Sequence, residues 1–383
     1  MIRTVWPYLA VMLLCAGIFP ALERRYGWRL FTVLPPIVLT YLLVTALAVT
    51  GLWQVDGAIR AAQSVLVAQG VPALLFLLMI NCDLRAIARL GPRVLAVFFA
   101  TTASLFLAFL GSFLLYRAWL GGTAWQPLAA LSGSWVGGTA NMIAVKQAIG
   151  MSDPLLAMSL LTDALCYSMW VVVLFAIGPL APAFNRWTRA RSSAEGIATP
   201  EARREPVPPE NVLLWLGLAL LATAVAAWFA ARLPAGGMVS ATTWTILLAT
   251  GAGLAVAHTP LARLAGAGPL SGALLIAVVA VLASQSNFEG LGQAPFYLLC
   301  GATVIAIHAG LMLLAARLFH FDLYLCGIAS LAHIGGVAAT PILAASYARS
   351  LVPVGILLAL LGYILGTGFG LLVASIFRTL ALA

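Results

Sequence analysis

The sequence predicts an all-α polytopic membrane protein of about 12 helices, built as two structural repeats. Three observations carry this. Of 383 residues, 63% are hydrophobic and only 8% charged, whereas soluble domains are nearer half apolar and a quarter charged. The apolar residues fall in runs close to the roughly 20 residues that a spanning helix needs. Two matching segments, each centred on a Gly-Gly pair, flank one polar stretch. A soluble fold must keep a polar exterior and could not hide this much apolar surface. The expected environment is therefore the lipid bilayer.

The apolar runs, in order, cover about 5–21, 30–53, 64–81, 94–118, 126–149, 154–182, 212–232, 240–257, 268–286, 293–319, 324–348 and 352–378. The first, within MIRTVWPYLAVMLLCAGIFPALERR, lacks a clear small-x-small cleavage site and reads as a retained helix. Arg24, Arg25 and Arg29 follow the first run, and Arg85, Arg89 and Arg93 follow the third. Basic residues gather in short cytoplasmic loops, so both loops are assigned to the cytoplasm. The stretch Asn185–Asn211 holds five Arg, four Glu and four Pro without apolar periodicity. It reads as a polar flexible linker between a first membrane half, 1–184, and a second, 212–383. Counting one crossing per run puts this linker outside, against its arginines.

The net charge of +9 is explained by such loops. No stretch interleaves basic and aromatic residues, so no nucleic-acid partner is expected. Cys15, Cys82, Cys166, Cys300 and Cys326 form no CxxC or Cys/His cluster and read as core residues, with no structural metal site.

The repeat lies in LSGSWVGGTANMIAVKQAIGMSDP, residues 131–154, and ASLAHIGGVAATPILAASYARSLVP, residues 329–353. Each has a Ser, a Gly-Gly pair, small residues, a Thr and then a Pro opening the next helix. Glycine within a helix costs about 1 kcal/mol relative to Ala. One such pair is explained by close helix packing. Two at corresponding places point to the binding site of a transporter, because backbone freed in mid-membrane needs a cavity, ion or polar ligand as partner. The candidate ligands for substrate or ion are Ser134, Gly137, Gly138, Thr139 and Asn141 in the first segment. In the second they are Ser330, His333, Gly335, Gly336 and Thr340.

Among the eleven acids, Asp163 alone lies well inside an apolar run, where a charge costs at least about 2.5–3.5 kcal/mol. It is the candidate coupling residue, able to bind Na⁺ or to carry a proton. Lys146, the single lysine, reads either as a snorkelling anchor or as the charge partner of Asp163 or of a substrate anion. His308 reads as structural. Tyr363, in LLGYILGTGFG, occupies the place in the second repeat that the Asp163 helix holds in the first. No HExxH, GxSxG or P-loop is present, so no enzyme activity and no cofactor beyond Na⁺ or H⁺ as coupling ion is expected.

The segments LLFLLMINCDLRAIARLGPR, LSGSWVGGTANMIAVKQAIGMSD and ASLAHIGGVAATPILAASYARSLVPVGILLALLGYILGTGFG, together with the Asp163 helix, resemble domain-of-unknown-function family 819. This is a set of bacterial and plastid membrane proteins, and the resemblance runs over nearly the whole chain. More distantly, the first half is similar to the bile-acid/sodium symporter and cation/proton antiporter superfamily. That resemblance implies inverted repeats, each with a Gly-Gly-broken discontinuous helix, crossing in a core that shifts like an elevator. It also implies a place in the bacterial inner membrane and a homodimer. By position, Asp163 resembles the ion-binding acid of the antiporters, GGTAN at 137–141 the first crossing, and GGVAAT at 335–340 the second. The antiporters often carry paired acids, whereas Leu161 and Thr162 precede a single Asp163 here. The expected function is secondary active transport of a small organic solute, for which Lys146 and the helix N-termini suggest an anion, coupled to Na⁺ or H⁺. The alternative is a cation/proton antiporter without organic substrate; a membrane enzyme or binding protein is the third reading. One count does not fit: six steps separate the two Gly-Gly segments, and inverted repeats need an odd number. Either a span is miscounted between 183 and 290, or one candidate is not a full crossing.

Overall fold

The computed structural model describes residues 1–28, 30–33, 36–54, 57–82, 84–120, 122–123, 125–190, 207–234, 240–285 and 294–382. Among them the structure is helical. The helices are α1 (Val5–Tyr26), α2 (Leu30–Val33), α3 (Pro36–Val49), α4 (Gly57–Met79), α5 (Leu84–Ala88), α6 (Pro92–Leu120), α7 (Trp125–Gly137), α8 (Thr139–Ile149) and α9 (Asp153–Ile177). They continue with α10 (Ala181–Thr188), α11 (Pro209–Ala230), α12 (Ala241–Val256), α13 (Ala267–Ala283), α14 (Ala294–Phe319), α15 (Leu323–Ile334), α16 (Gly336–Tyr347) and α17 (Val352–Leu382). Seven helical stretches among the described residues are long and apolar enough to cross a membrane, with shorter apolar helices between them. Leu213 and Val172 are 71% and 67% exposed on such stretches, as lipid-facing side chains are. The chain is a multi-pass membrane protein.

The polar stretch Asn185–Asn211 is shorter than its composition implies. Helix α10 runs through Asn185 to Thr188, and α11 opens at Pro209, where proline's missing N–H costs nothing at a first helical position. Residues 191–206 of the linker lie outside the described residues, as do Arg29, Asp83, Ser286 and Asn287.

The chain forms two compact units, and each draws on both sides of the linker. One comprises Met1–Asn81, Lys146–Leu165 and Glu205–Ala294; the other comprises Cys82–Val145, Cys166–Arg204 and Pro295–Ala383.

The first unit holds two helix triplets, α1–α3–α4 and α11–α12–α13. Their packing is unchanged when the triplets are exchanged. The pair α1–α3 matches α11–α12, α3–α13 matches α12–α4, α1–α13 matches α11–α4, and α4–α13 maps on itself. Along that last pair Gln63 bonds Ser284, Gly70 faces Val278 and Gly268 faces Asn81. Rising numbers on α4 meet falling numbers on α13, so these counterpart helices are antiparallel. Trp215 (0% exposed), Ala219, Phe76 and Ala267 form the apolar centre.

In the second unit α6 and α14 are also antiparallel: Thr101 meets Met312, Ser104 meets His308, and Ser112 bonds the Cys300 carbonyl. Helices α6 and α17 run the same way, with Phe106 against Phe369 and Phe113 stacked on Phe377.

Candidate functional site

The two Gly-Gly segments are where the chain reverses. Gly138 has φ +77° and Gly336 has φ +61°, a left-handed conformation that glycine adopts without steric cost. After each reversal the second helix packs back along the first. A Cβ on Gly133 would lie 3.0 Å from Val145 Cγ2, although a straight helix would part residues 133 and 145 by about 18 Å. Tyr324, near the start of α15, stacks on Tyr347 at the end of α16, with ring centroids 4.7 Å apart. A straight helix would separate them by about 35 Å. The apolar runs 126–149 and 324–348 are therefore not single broken crossings. Each is a helical hairpin, α7–α8 and α15–α16. Arms of 13 and 12 residues reach about 18–20 Å, short of the roughly 30 Å hydrocarbon core.

Helix α17 is the post on which both hairpins rest. Gly133 and Gly137 of α7 meet Gly370, Gly366 and Gly362 of α17. A Cβ at Gly362 would collide with the Val136 carbonyl oxygen, and one at Gly366 would lie 2.6 Å from Gly137 Cα. These contacts bring α7 in antiparallel to α17. Helix α15 runs parallel to it, since Gly355 faces Ile328 and Gly362 faces the Ala332 carbonyl. The hairpins thus approach from opposite ends of α17, and their tips converge on Tyr363. A Cβ on Gly138 would lie 3.0 Å from Tyr363 Cε1, and one on Gly336 would lie 3.3 Å from its hydroxyl. That hydroxyl also takes a hydrogen bond from the Val337 backbone N–H.

The polar candidates divide into those the fold uses and those it leaves near the tips. Asn141 is 1% exposed. Its Nδ2 donates to the Gly137 carbonyl at 2.5 Å and the Tyr363 carbonyl at 3.3 Å, and its Oδ1 accepts from Thr367. Both ends of the amide reach α17, and its N–H₂ group also closes the turn on Gly137. Thr340 donates to the Gly336 carbonyl at 2.6 Å. Ser330 belongs to a buried hydrogen-bonded chain. Trp170 Nε1 donates to Ser330 at 2.8 Å, so the Ser330 hydroxyl hydrogen is free to go to His308 Nε2 at 2.8 Å. His308 Nδ1 then donates to Ser104, whose own hydrogen goes to the Thr101 carbonyl. His333 is fully buried, donates from Nδ1 to the Ala329 carbonyl at 2.8 Å, meets Thr102 through Nε2, and lies 4.2 Å from the Phe98 ring.

Ser134 is buried, while Thr139 and Gly138 are half-buried. Gly335 closes on Leu331 and Tyr167. Asp163 lies half-buried in the middle of α9, in the first unit. Lys146, 5% exposed in its side chain, pairs at 2.7 Å with Asp153, seven residues on across the α8–α9 turn, rather than with Asp163. Sequence reasoning noted Tyr363 only as lying in the counterpart of the Asp163 helix and did not name it among the ligands. The signal that could have found it is the four-residue glycine spacing 362, 366, 370, the small-xxx-small pattern of close membrane helices, matched by 133 and 137.

A search of curated proteins returns no match to this chain. A family model described as protein of unknown function (DUF819) matches residues 10–380. The chain belongs to that family.

Proposed function

We propose that the protein is a secondary active transporter of a small organic solute, coupled to Na⁺ or H⁺ through Asp163, working in a bacterial inner membrane. The observation that carries this reading is the convergence of two helical hairpins on Tyr363. In hydrocarbon a chain reversal leaves backbone N–H and C=O groups without partners, and this is tolerated where they line a polar cavity or face protein. The tips also gather helix ends of both signs. Helices α8 and α16 begin there and offer partial positive charge, while α7 and α15 end there and offer partial negative charge.

The two repeats are read as inverted, supported by the antiparallel counterparts α4–α13 and α6–α14. Each hairpin enters and leaves on one side, so neither adds a net crossing. Read this way, five crossings separate the two hairpins, an odd number, as inverted repeats need. Close backbone packing of both hairpins' first arms against α17 favours their moving as one block, as an elevator-like cycle requires.

The test is solute uptake into proteoliposomes under Na⁺ and pH gradients. Asp163→Asn should abolish gradient-driven uptake while the protein still purifies folded. Gly138→Leu should block solute binding, since it needs a left-handed backbone and the space held by Tyr363. Wild-type uptake and ion dependence in the first variant would remove Asp163 from the mechanism. Cation–proton exchange with no solute effect would favour the antiporter.

A further inference from the structure

A cavity of about 560 Å³ lies within the first unit, lined by none of the residues assigned to the hairpin tips. Its size is that of small-molecule sites, roughly 300–1,000 Å³. The Lys146–Asp153 pair and Gln63 line it, with Thr245, Val67 and Ile246. Gln63 is 0% exposed. Its orientation is set by its neighbours. The Ser284 hydroxyl donates to the Val281 carbonyl at 2.6 Å, so Ser284 Oγ can only accept from Gln63 Nε2 at 3.0 Å and from Tyr8 at 2.6 Å. The amide oxygen Oε1 is left over, and it accepts no hydrogen bond among the described residues. A buried acceptor without a donor carries the full desolvation cost of that group, so a ligand that brings a donor is favoured.

The ion pair restricts what that ligand is. A simple anion would meet a lysine already neutralised by Asp153. A simple cation would meet an aspartate with an ammonium 2.7 Å away. A molecule with both charges replaces each half of the pair: its carboxylate takes Lys146, and its ammonium takes Asp153 with one N–H left for Gln63 Oε1. The apolar walls suit a small aliphatic side chain. The geometry points to a binding site for a small zwitterion of the amino-acid type, a carboxylate and an ammonium on neighbouring carbons. The site stands whether or not the protein transports, because it rests on none of the tip residues.

Calorimetric titration and melting of the purified full-length protein test it, with L-alanine as probe. Acetate and methylammonium serve as its separate halves, and glycerophosphoethanolamine as a lipid-headgroup zwitterion. L-alanine should bind and raise the melting temperature, with neither half doing so at equal concentration. Gln63→Met should weaken L-alanine binding at least tenfold. The proposal is overturned if L-alanine gives no heat and no shift with the wild-type protein, or if acetate or methylammonium alone does as well. It is also overturned if only the headgroup analogue responds, which would make this a lipid site, or if Gln63→Met binds L-alanine at wild-type affinity.

Discussion

The two hairpins share a length, a glycine tip and a common post, yet they are held by different chemistry. The first is fastened at its tip. Asn141 spends its whole amide on Gly137, Tyr363 and Thr367, and α7 lies backbone to backbone on α17. The second is fastened along its arms. Asp322 caps α15 by accepting from Tyr324 and Leu325 N–H. His333 and Ser330 bind its body to neighbours, and Tyr347 donates to the Leu174 carbonyl. At its tip, among the described residues, Thr340 bonds its own turn and the Tyr363 hydroxyl meets Val337. In a bilayer one interhelical hydrogen bond contributes about 0.6 kcal/mol, so the two that Asn141 makes to α17 outweigh one on a phenol. The second tip is the one with less to break if a solute is to enter.

The all-or-none test of the comparison is sidedness. With the native cysteines replaced, Ser152→Cys lies at the base of the first hairpin and Ser350→Cys at the base of the second, both exposed. An impermeant maleimide should label them from opposite faces of the membrane; labelling from one face would end the inverted arrangement. Next in size is Gly362→Ala. Its Cβ meets a backbone carbonyl that cannot turn aside, so α7 must move off α17, at a cost of about 3 kcal/mol. Gly368→Ala, where nothing lies within 4 Å, should be neutral or stabilising by up to about 1 kcal/mol. Equal melting temperatures for the two variants would refute the packing.

A smaller effect is expected from Asn141→Leu, about 2 kcal/mol from three lost bonds. Adding Thr367→Val should cost less than the two changes summed, because the threonine no longer has a partner to lose. Smallest is Tyr363→Phe, about 0.6 kcal/mol. By hydrogen exchange it should loosen residues 335–338 and leave 137–141 as they are; loosening of both tips alike would mean the hairpins do not differ in this way.

Much of this was legible in the chain and some was not. The membrane class, the long spans and the matched Gly-Gly segments follow from composition and spacing. The hairpins did not follow, because two 12-residue arms and one 24-residue crossing have the same apolar length. Only the sign of φ at Gly138 and Gly336 separates them, and glycine is compatible with either sign. The two-triplet packing of the first unit left no motif, since exchange symmetry is a property of contacts. Asn141 has the chemistry of a ligand and of a staple, and the choice lies with Thr367 and Tyr363, more than 200 residues away. Gln63 stood near the start of an apolar run without any pattern to mark it.

On the proposed inverted arrangement each hairpin returns to the side it came from, and five crossings rather than six precede the sequence that follows α10. That reading groups this sequence with Arg24, Arg25, Arg85, Arg89 and Arg93. Counted along the sequence on that proposed arrangement, Arg3, Arg60, Arg117, Arg232 and Arg378 are assigned to one face and the other fourteen of the nineteen arginines to the opposite face. That asymmetry is the one by which insertion fixes orientation. On this proposal two left-handed glycines decide which compartment meets the arginine-rich segment, and with it every regulator, protease or modifying enzyme able to reach it.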